Sequence, residues 1–505
     1  MTSERPDAGV VVGVLAFALA AWAAFSIWGL PALMGFVVVA VLLTPFSPEM
    51  ATLLGIAAIY LNLPGIAVKL HDLPPTLAAS TSLLLLAPFL VRVLLRRETL
   101  RLDVPFLLIL AFLGAVLLSL FGIEDEAAAT RWVTTFLTEG LVVYFLVLNL
   151  FRTPESIRRA IYILIFCGAI LGGLTLYQEA TRSYTQQFSG LAQRNISYGT
   201  GDELLREKDL LRQEHKIHLR ERAAGPLGDP NRYAQILVVL MPLAYFTLKI
   251  RRELWSRIVT VGCGLLILIG ALLTYSRGGF IGIVAQIAVL KGMGAVRFRA
   301  LGLFLVAAVI AVFVLAPGYP VRLDTLRGVS FITSQTRGQE SEAVFRGRLT
   351  EMLAAFNVFL DHPLTGVGPG QFLPVYSTSY MSNPEIAFRR ITEVRRAHTL
   401  YFELAAETGI LGLVTFFGAV GLIQVRLWSA WRRWRRRNRP ELAGLAGAFF
   451  LAILGYLVTG VFLHLAFQRY YWLLLGLAGA TLQVLSDEDW RFVKGEAGSA
   501  KRAAA

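Results

Sequence analysis

Cysteine is nearly absent. Cys167 and Cys263 are the only two in 505 residues. Both lie inside apolar runs, so neither a disulfide framework nor a metal-ligand spacing can be built from them. Charge is scarce as well. With 16% charged and 56% hydrophobic residues and a mean hydropathy of +0.61, the chain cannot be a soluble globular protein of ordinary composition. What charge there is leans basic, with a formal net charge of +14. In a soluble protein that excess would suggest nucleic acid. Here the basic residues cluster in short gaps between apolar runs, where they set orientation, so no nucleic-acid partner is expected. The first apolar run is followed at once by another rather than by an A-x-A cleavage site, which reads as a retained first span.

Apolar runs of spanning or near-spanning length cover residues 9–25, 30–43, 50–63, 76–95, 104–121, 132–151, 157–177, 233–250, 258–275, 280–290, 301–316, 409–427, 442–464 and 470–485. Several early ones hold or adjoin Pro31, Pro45 or Pro48 and could be broken helices. A bilayer admits only helices or closed barrels, so the expected fold is all-α and polytopic, with at most 14 transmembrane helices. Gaps containing Arg92 to Arg101, Arg152 to Arg159, Lys249 to Arg257, Lys291 to Arg299 and Arg432 to Arg439 occupy every second connection from the fourth span onward, which makes those connections cytoplasmic. Trp431 and Trp434 inside the last run read as an interfacial anchor. The remaining connections face outward, including the two longest. The division is 1–177, N-terminal membrane helices; 178–232, first long outer loop; 233–316, central membrane helices; 317–408, second long outer loop carrying the site; 409–486, C-terminal membrane helices; and 487–505, a cytoplasmic tail.

The outward connections hold the chemistry. In the stretch from Arg395 to Gly412, helical spacing would line up Arg395, His398, Phe402, Ala405, Gly409 and Gly412 on one face that begins cationic and ends small. Small residues admit a neighbouring helix, and an Arg and a His above them would meet an anion at the membrane surface. The segment Arg222-Ala-Ala-Gly-Pro-Leu-Gly-Asp-Pro-Asn231 is a tight turn into a span, in which Asn231 could cap the helix and Arg222 is a candidate ligand contact. Arg277, in Tyr-Ser-Arg-Gly-Gly, sits at a span end, where a guanidinium needs a carboxylate, carbonyl or phosphate. The two glycines that follow it allow close backbone approach. Arg348 lies on a helix expected over 342–360, and the turn from Asp361 to Phe372 follows it. In that turn His362 reads as a turn-stabilising group. His215 and His218, flanked by charges, read as a solvated face. Glu139 and His464 are the few mid-span ionisable groups.

His398-Thr399, nine residues, then Gly409-x-x-Gly412 resembles the signature of the bacterial O-antigen ligase and O-antigen polymerase superfamily. So do the Arg222 segment, the Ser-Arg277-Gly segment and the His-Pro-Leu-Gly-x-Gly turn after a helix bearing a functional Arg, for which Arg348 is best placed. Thr399 departs from the usual Asn, Ser or Gln. The resemblance implies about twelve crossings and transfer of a glycan from undecaprenyl diphosphate at the periplasmic face of the inner membrane. The acceptor would be the lipid A core (ligase), another repeat unit (polymerase) or a protein hydroxyl (pilin-type glycosyltransferase); the His-to-glycine spacing favours the ligase. A transporter sharing only hydropathy is the alternative of a different class, and would need more mid-span ionisable groups.

Arginine binds phosphate bidentately and takes up charge on a leaving diphosphate, so Arg277, Arg348, Arg222, Arg395 and Arg396 are expected on the donor. His398 is the expected general base, kept neutral by Arg395 and Arg396. No D-x-D of the kind that holds a divalent metal with a sugar diphosphate stands in the outward connections. The expected chemistry therefore uses no cofactor and no metal, and the partners are the lipid-linked donor, the acceptor and membrane lipid.

Overall fold

The computed structural model of the protein describes residues 43–70, 83–197, 220–250, 253–295, 337–383, 385, 394–464 and 468–504. The runs at 9–25 and 301–316, almost all of the run at 30–43, and His215 and His218 lie outside the described residues.

In chain order the helices are α1 (Pro48–Tyr60), α2 (Leu63–Leu70), α3 (Leu83–Leu90), α4 (Val104–Leu118), α5 (Glu126–Thr135), α6 (Val142–Leu150) and α7 (Pro154–Thr181). Strands β1 (Gln193–Ser197) and β2 (Arg220–Gly225) follow. Then come α8 (Pro230–Ile250), α9 (Leu254–Leu273), α10 (Arg277–Gly292), α11 (Arg337–Asp361), α12 (Ser377–Met381), α13 (Leu400–Arg436), α14 (Pro440–Gly460) and α15 (Gln468–Ala504). Local sequence explains the starts: Asp103, Asp125 and Thr153 each cap the next helix with a side-chain oxygen, and Pro105 and Pro154 sit in first turns where no backbone donor is lost.

Six helical stretches are long and apolar enough to cross a membrane: 126–150 (α5 and α6 joined through a π-helical turn), α7, α8, α9, α13 and α14. The pair α1 and α2, bent by 46°, makes a seventh if counted as one span, and 84–95 and α4 are shorter apolar helices. The chain is therefore a polytopic, mostly helical membrane protein. The all-α expectation needs one correction: β1 and β2 form a two-stranded antiparallel sheet. An outer connection is free of the bilayer rule that forces helix, so a hairpin-like pair can form there. α8 lies at the centre, packed on α9, α10 and α14, with Tyr233, Leu237 and Leu240 fully buried.

The basic gaps gather at one end of the bundle. Arg101 pairs with Asp487 at 2.7 Å, Arg158 with Glu441 at 3.0 Å and Arg159 with Glu49 at 2.8 Å. Arg152 donates to the Thr99 carbonyl and Arg435 to that of Met293. The other connections meet one another at the far ends of the same helices: Gln371 accepts from the backbone of Glu124 and Asp125, and Arg222 donates to Thr274. Trp431 and Trp434 are corrected from lipid-facing anchors to core residues, 7% and 1% exposed. Arg435 covers the first, and Arg437 and Phe492 cover the second.

Candidate functional site

α13 begins at Leu400, not earlier. Residues 394–398 approach it without helical structure, Thr399 is extended at φ −142°, and His398 is left-handed at φ +49°. The expected continuous helical face through Arg395 and His398 is thus corrected. Both project from a lead-in strap that Glu403, in the first turn of α13, ties down by accepting from Arg396 Nη1 (3.0 Å) and from the Ala397 backbone (3.1 Å). A non-glycine residue in the left-handed region costs about 1–3 kcal/mol and persists only where its surroundings impose it.

Gly409 breaks α13, with φ +61° and ψ −162°. Its neighbours bond outward instead of along the helix. Ile410 N donates to Pro363 O at 2.8 Å, while Ala406 O and Glu407 O accept from Val367 N (2.9 Å) and Gly368 N (3.0 Å). The turn after α11 therefore plugs the break. A Cβ on Gly409 would run into the Leu364 carbonyl, and one on Gly412 into the Thr408 hydroxyl. Gly409 admits a loop backbone rather than a second helix, which corrects the helix-packing expectation at that position. His362 stands with its ring 6.0 Å from Tyr376 and its carbonyl accepting from Gly366 N, and Asp361 accepts from Tyr380 at 2.6 Å.

Docking this turn fixes α11 over the strap. Glu351 on α11 is 1% exposed; its Oε2 lies 3.9 Å from His398 Nε2 and its Oε1 3.6 Å from Arg395 Nη1. Arg348, one helical turn earlier, is partly buried, and its Nε has no hydrogen-bond partner. Arg277, the first residue of α10, feels the positive charge of Arg348. Ser276 caps α10 through Gly279 N at 3.2 Å, and a Cβ on Gly279 would lie 2.8 Å from Ala234, so the close approach expected of this glycine pair is real. Gly278 faces Phe462, two residues before His464.

His464 follows the end of α14 and closes the other side. Its ring centroid is 6.1 Å from that of His398. Arg232 of α8 reaches its Nε2 at 2.7 Å and its backbone oxygen at 3.1 Å. Burial, then the charges of Arg232, Arg396 and His398, hold the His464 pKa well below the usual histidine value, so this ring is neutral at ordinary pH. Beside the strap an apolar groove of about 490 Å³ runs between α11 and α13, lined by Phe356, Phe359, Tyr401, Phe402, Val414 and Phe417.

Arg277, Arg348, Arg395, Arg396 and His398 thus converge. Arg222 stands apart: 7% exposed, it donates to Thr274 O (2.9 Å) and Asn231 Oδ1 (3.0 Å), fastening the turn before Arg277 to the start of α8. Asp229, not Asn231, caps α8, accepting from Asn231 N and Arg232 N. Sequence reasoning missed Glu351, Arg232 and Glu403 as members of the site. Glu351 had a signal, since it lies three residues after Arg348 on the same helical face. His464 and Glu403 meet the strap only through tertiary packing.

No curated protein matches the chain. Residues 262–417, which hold Arg277, Arg348, Glu351, His398 and Gly409, match the family model described as O-antigen ligase. Through that domain the chain is similar to the O-antigen ligase superfamily of glycosyltransferase-like membrane enzymes.

Proposed function

We propose that the protein transfers a glycan from undecaprenyl diphosphate to a hydroxyl of the lipid A core oligosaccharide, at the periplasmic face of the inner membrane. One observation carries the reading. Arg277 and Arg348 lie within electrostatic reach of each other, and neither makes an ion pair among the described residues. Two desolvated like charges repel unless an anion sits between them, and a diphosphate supplies such an anion in a form guanidinium forks fit. The groove beside them suits the polyprenyl tail, being apolar and open toward Val414, which is 62% exposed.

In the reaction the acceptor oxygen attacks the anomeric carbon, and the bond from that carbon to the diphosphate oxygen breaks. Arg277 and Arg348 take up the charge that develops on the leaving diphosphate. His398 accepts the hydroxyl proton as the new bond forms. Arg222 holds the turn that presents Arg277, and Arg396 holds the strap. Among the described residues no three His, Cys, Asp or Glu side chains gather as a metal site, which favours arginine over metal as the counter-charge. Acceptor choice rests on the His398 to Gly409 spacing.

The reading is tested by binding of undecaprenyl diphosphate to the purified protein. Affinity should drop at least tenfold in both Arg348→Lys and Arg348→Ala, because lysine keeps the charge but loses the fork. Undiminished binding in both variants removes Arg348 from the diphosphate site.

A further inference from the structure

We infer that Glu351 is the positioning residue of His398, a buried carboxylate that orients the imidazole through Nε2 and favours its protonated form. This rests on the reading of His398 as the general base.

A carboxylate 1% exposed has to be matched by positive charge or carry a proton. Two cationic side chains of the strap face it from one side, Arg395 at 3.6 Å and His398 at 3.9 Å. Arg395 is permanently charged and His398 is titratable, so the proton of His398 is the variable charge in the set. At 3.9 Å the contact is electrostatic rather than a formed hydrogen bond. It strengthens when the ring gains a proton, which is the moment of catalysis. Glu351 is also well placed to be rigid: α11 is locked by the turn that plugs the Gly409 break, and Ala354, Ala355 and Val358, within the next two turns, are fully buried.

The other groups around His398 act in the opposite sense or are compensated. His464 is held neutral and contributes little charge. Arg232 is bound to the His464 ring. Arg396 is paired with Glu403 at 3.0 Å. Among the described residues, Glu351 is a carboxylate that faces His398 from an element other than its own strap. Nε2 faces Glu351 at 3.9 Å, and Nδ1 is the nitrogen that takes the acceptor proton. The acceptor O–H proton passes to Nδ1, the glycosidic bond forms, the diphosphate leaves, and the imidazolium between Nδ1 and Glu351 later returns its proton to water.

The test is the pH dependence of diethyl pyrocarbonate labelling of His398, read by mass spectrometry on the purified full-length protein; the reagent reacts with the neutral ring. In Glu351→Gln the labelling midpoint should move to lower pH by about one unit or more. A midpoint equal to that of the parent overturns the inference. Should the Gln variant fail to fold, Glu351→Asp keeps the charge but withdraws it. A smaller shift in the same direction is then expected, and none would again overturn it. A protein whose His398→Ala variant still transfers glycan defeats the general-base reading while leaving the titration result intact. An unmoved midpoint with an inactive His398→Ala variant defeats only the role given to Glu351.

Discussion

Each ionisable residue of the site is positioned by a neighbour from a different part of the chain. His398 meets Glu351 and His464, Arg277 meets Arg348, and His464 meets Arg232. The arginine pair is the most sensitive to chemistry rather than charge. Arg277→Lys is expected to lose about a hundredfold or more in transfer rate, the loss typical when one preorganised donor to a developing anion is removed; a rate assay showing near-parental activity would count against the pairing. His464 makes a separate prediction about pH. Its folded pKa is depressed below the unfolded value of about 6.5, so below that pH the unfolded chain binds the extra proton. Stability is fully present above about 6.5 and is lost as pH falls from there toward the folded pKa. Thermal unfolding in detergent should show that loss in the parent and a flatter profile in His464→Gln. Arg277 was singled out in the sequence because a cation at a span end is costly without a use, and His398 and Arg348 because of their spacing to the glycine pair and to the His-Pro-Leu-Gly-x-Gly turn. Glu351 and His464 were not singled out as site members. A Glu on a charged helix and a His at a span end have ordinary structural readings, and only folding brings them to the strap.

At the scale of elements, the broken α13 is what makes the site. A helix continuous from residue 400 to 436 would leave no place for the turn at residues 363–368. The glycine break instead turns outward donors and acceptors toward Pro363, Val367 and Gly368, and so clamps α11, with Arg348 and Glu351, above the strap. Gly409 lies in a region of backbone space reserved for glycine, and a side chain there would collide with Leu364 O. Gly409→Ala should cost about 1–3 kcal/mol and loosen the plug, read as faster proteolysis within residues 361–372; a parent-like digestion pattern would show that the break is not what holds the turn. The sequence carried both halves of this joint, the glycine pair and the His-Pro-Leu-Gly-x-Gly turn, yet not their contact. Helical periodicity continues unbroken through Gly409, and a turn's partner is not encoded by its own residues. The same limit explains Trp431, which packs beside Gly447 of α14, and Trp434, which packs against Phe492 of α15.

For the whole molecule, the alternation of basic and non-basic gaps was legible because the long apolar helices among the described residues carry the chain from one end of the bundle to the other. The ion pairs of Arg101, Arg158 and Arg159 at one end, and the Gln371 and Arg222 contacts at the other, follow that alternation. The small sheet was not legible, since nothing in β1 or β2 shows a clear two-residue apolar period. Orientation can be checked with single cysteines at Leu364, 67% exposed, and Trp490, 64% exposed, because the native Cys167 and Cys263 are buried. An impermeant thiol reagent outside the inner membrane should label the first and not the second; the reverse would put the arginines and His398 on the wrong side for the proposed donor. The most direct measurement is transfer itself. Purified protein is incubated with undecaprenyl-diphosphate-linked glycan and lipid A core oligosaccharide, and the joined product is followed in the parent and in His398→Ala. A fall of about a hundredfold to ten-thousandfold in the variant, with its fold intact, is the predicted result, whereas product formed by His398→Ala at the parent rate would contradict it.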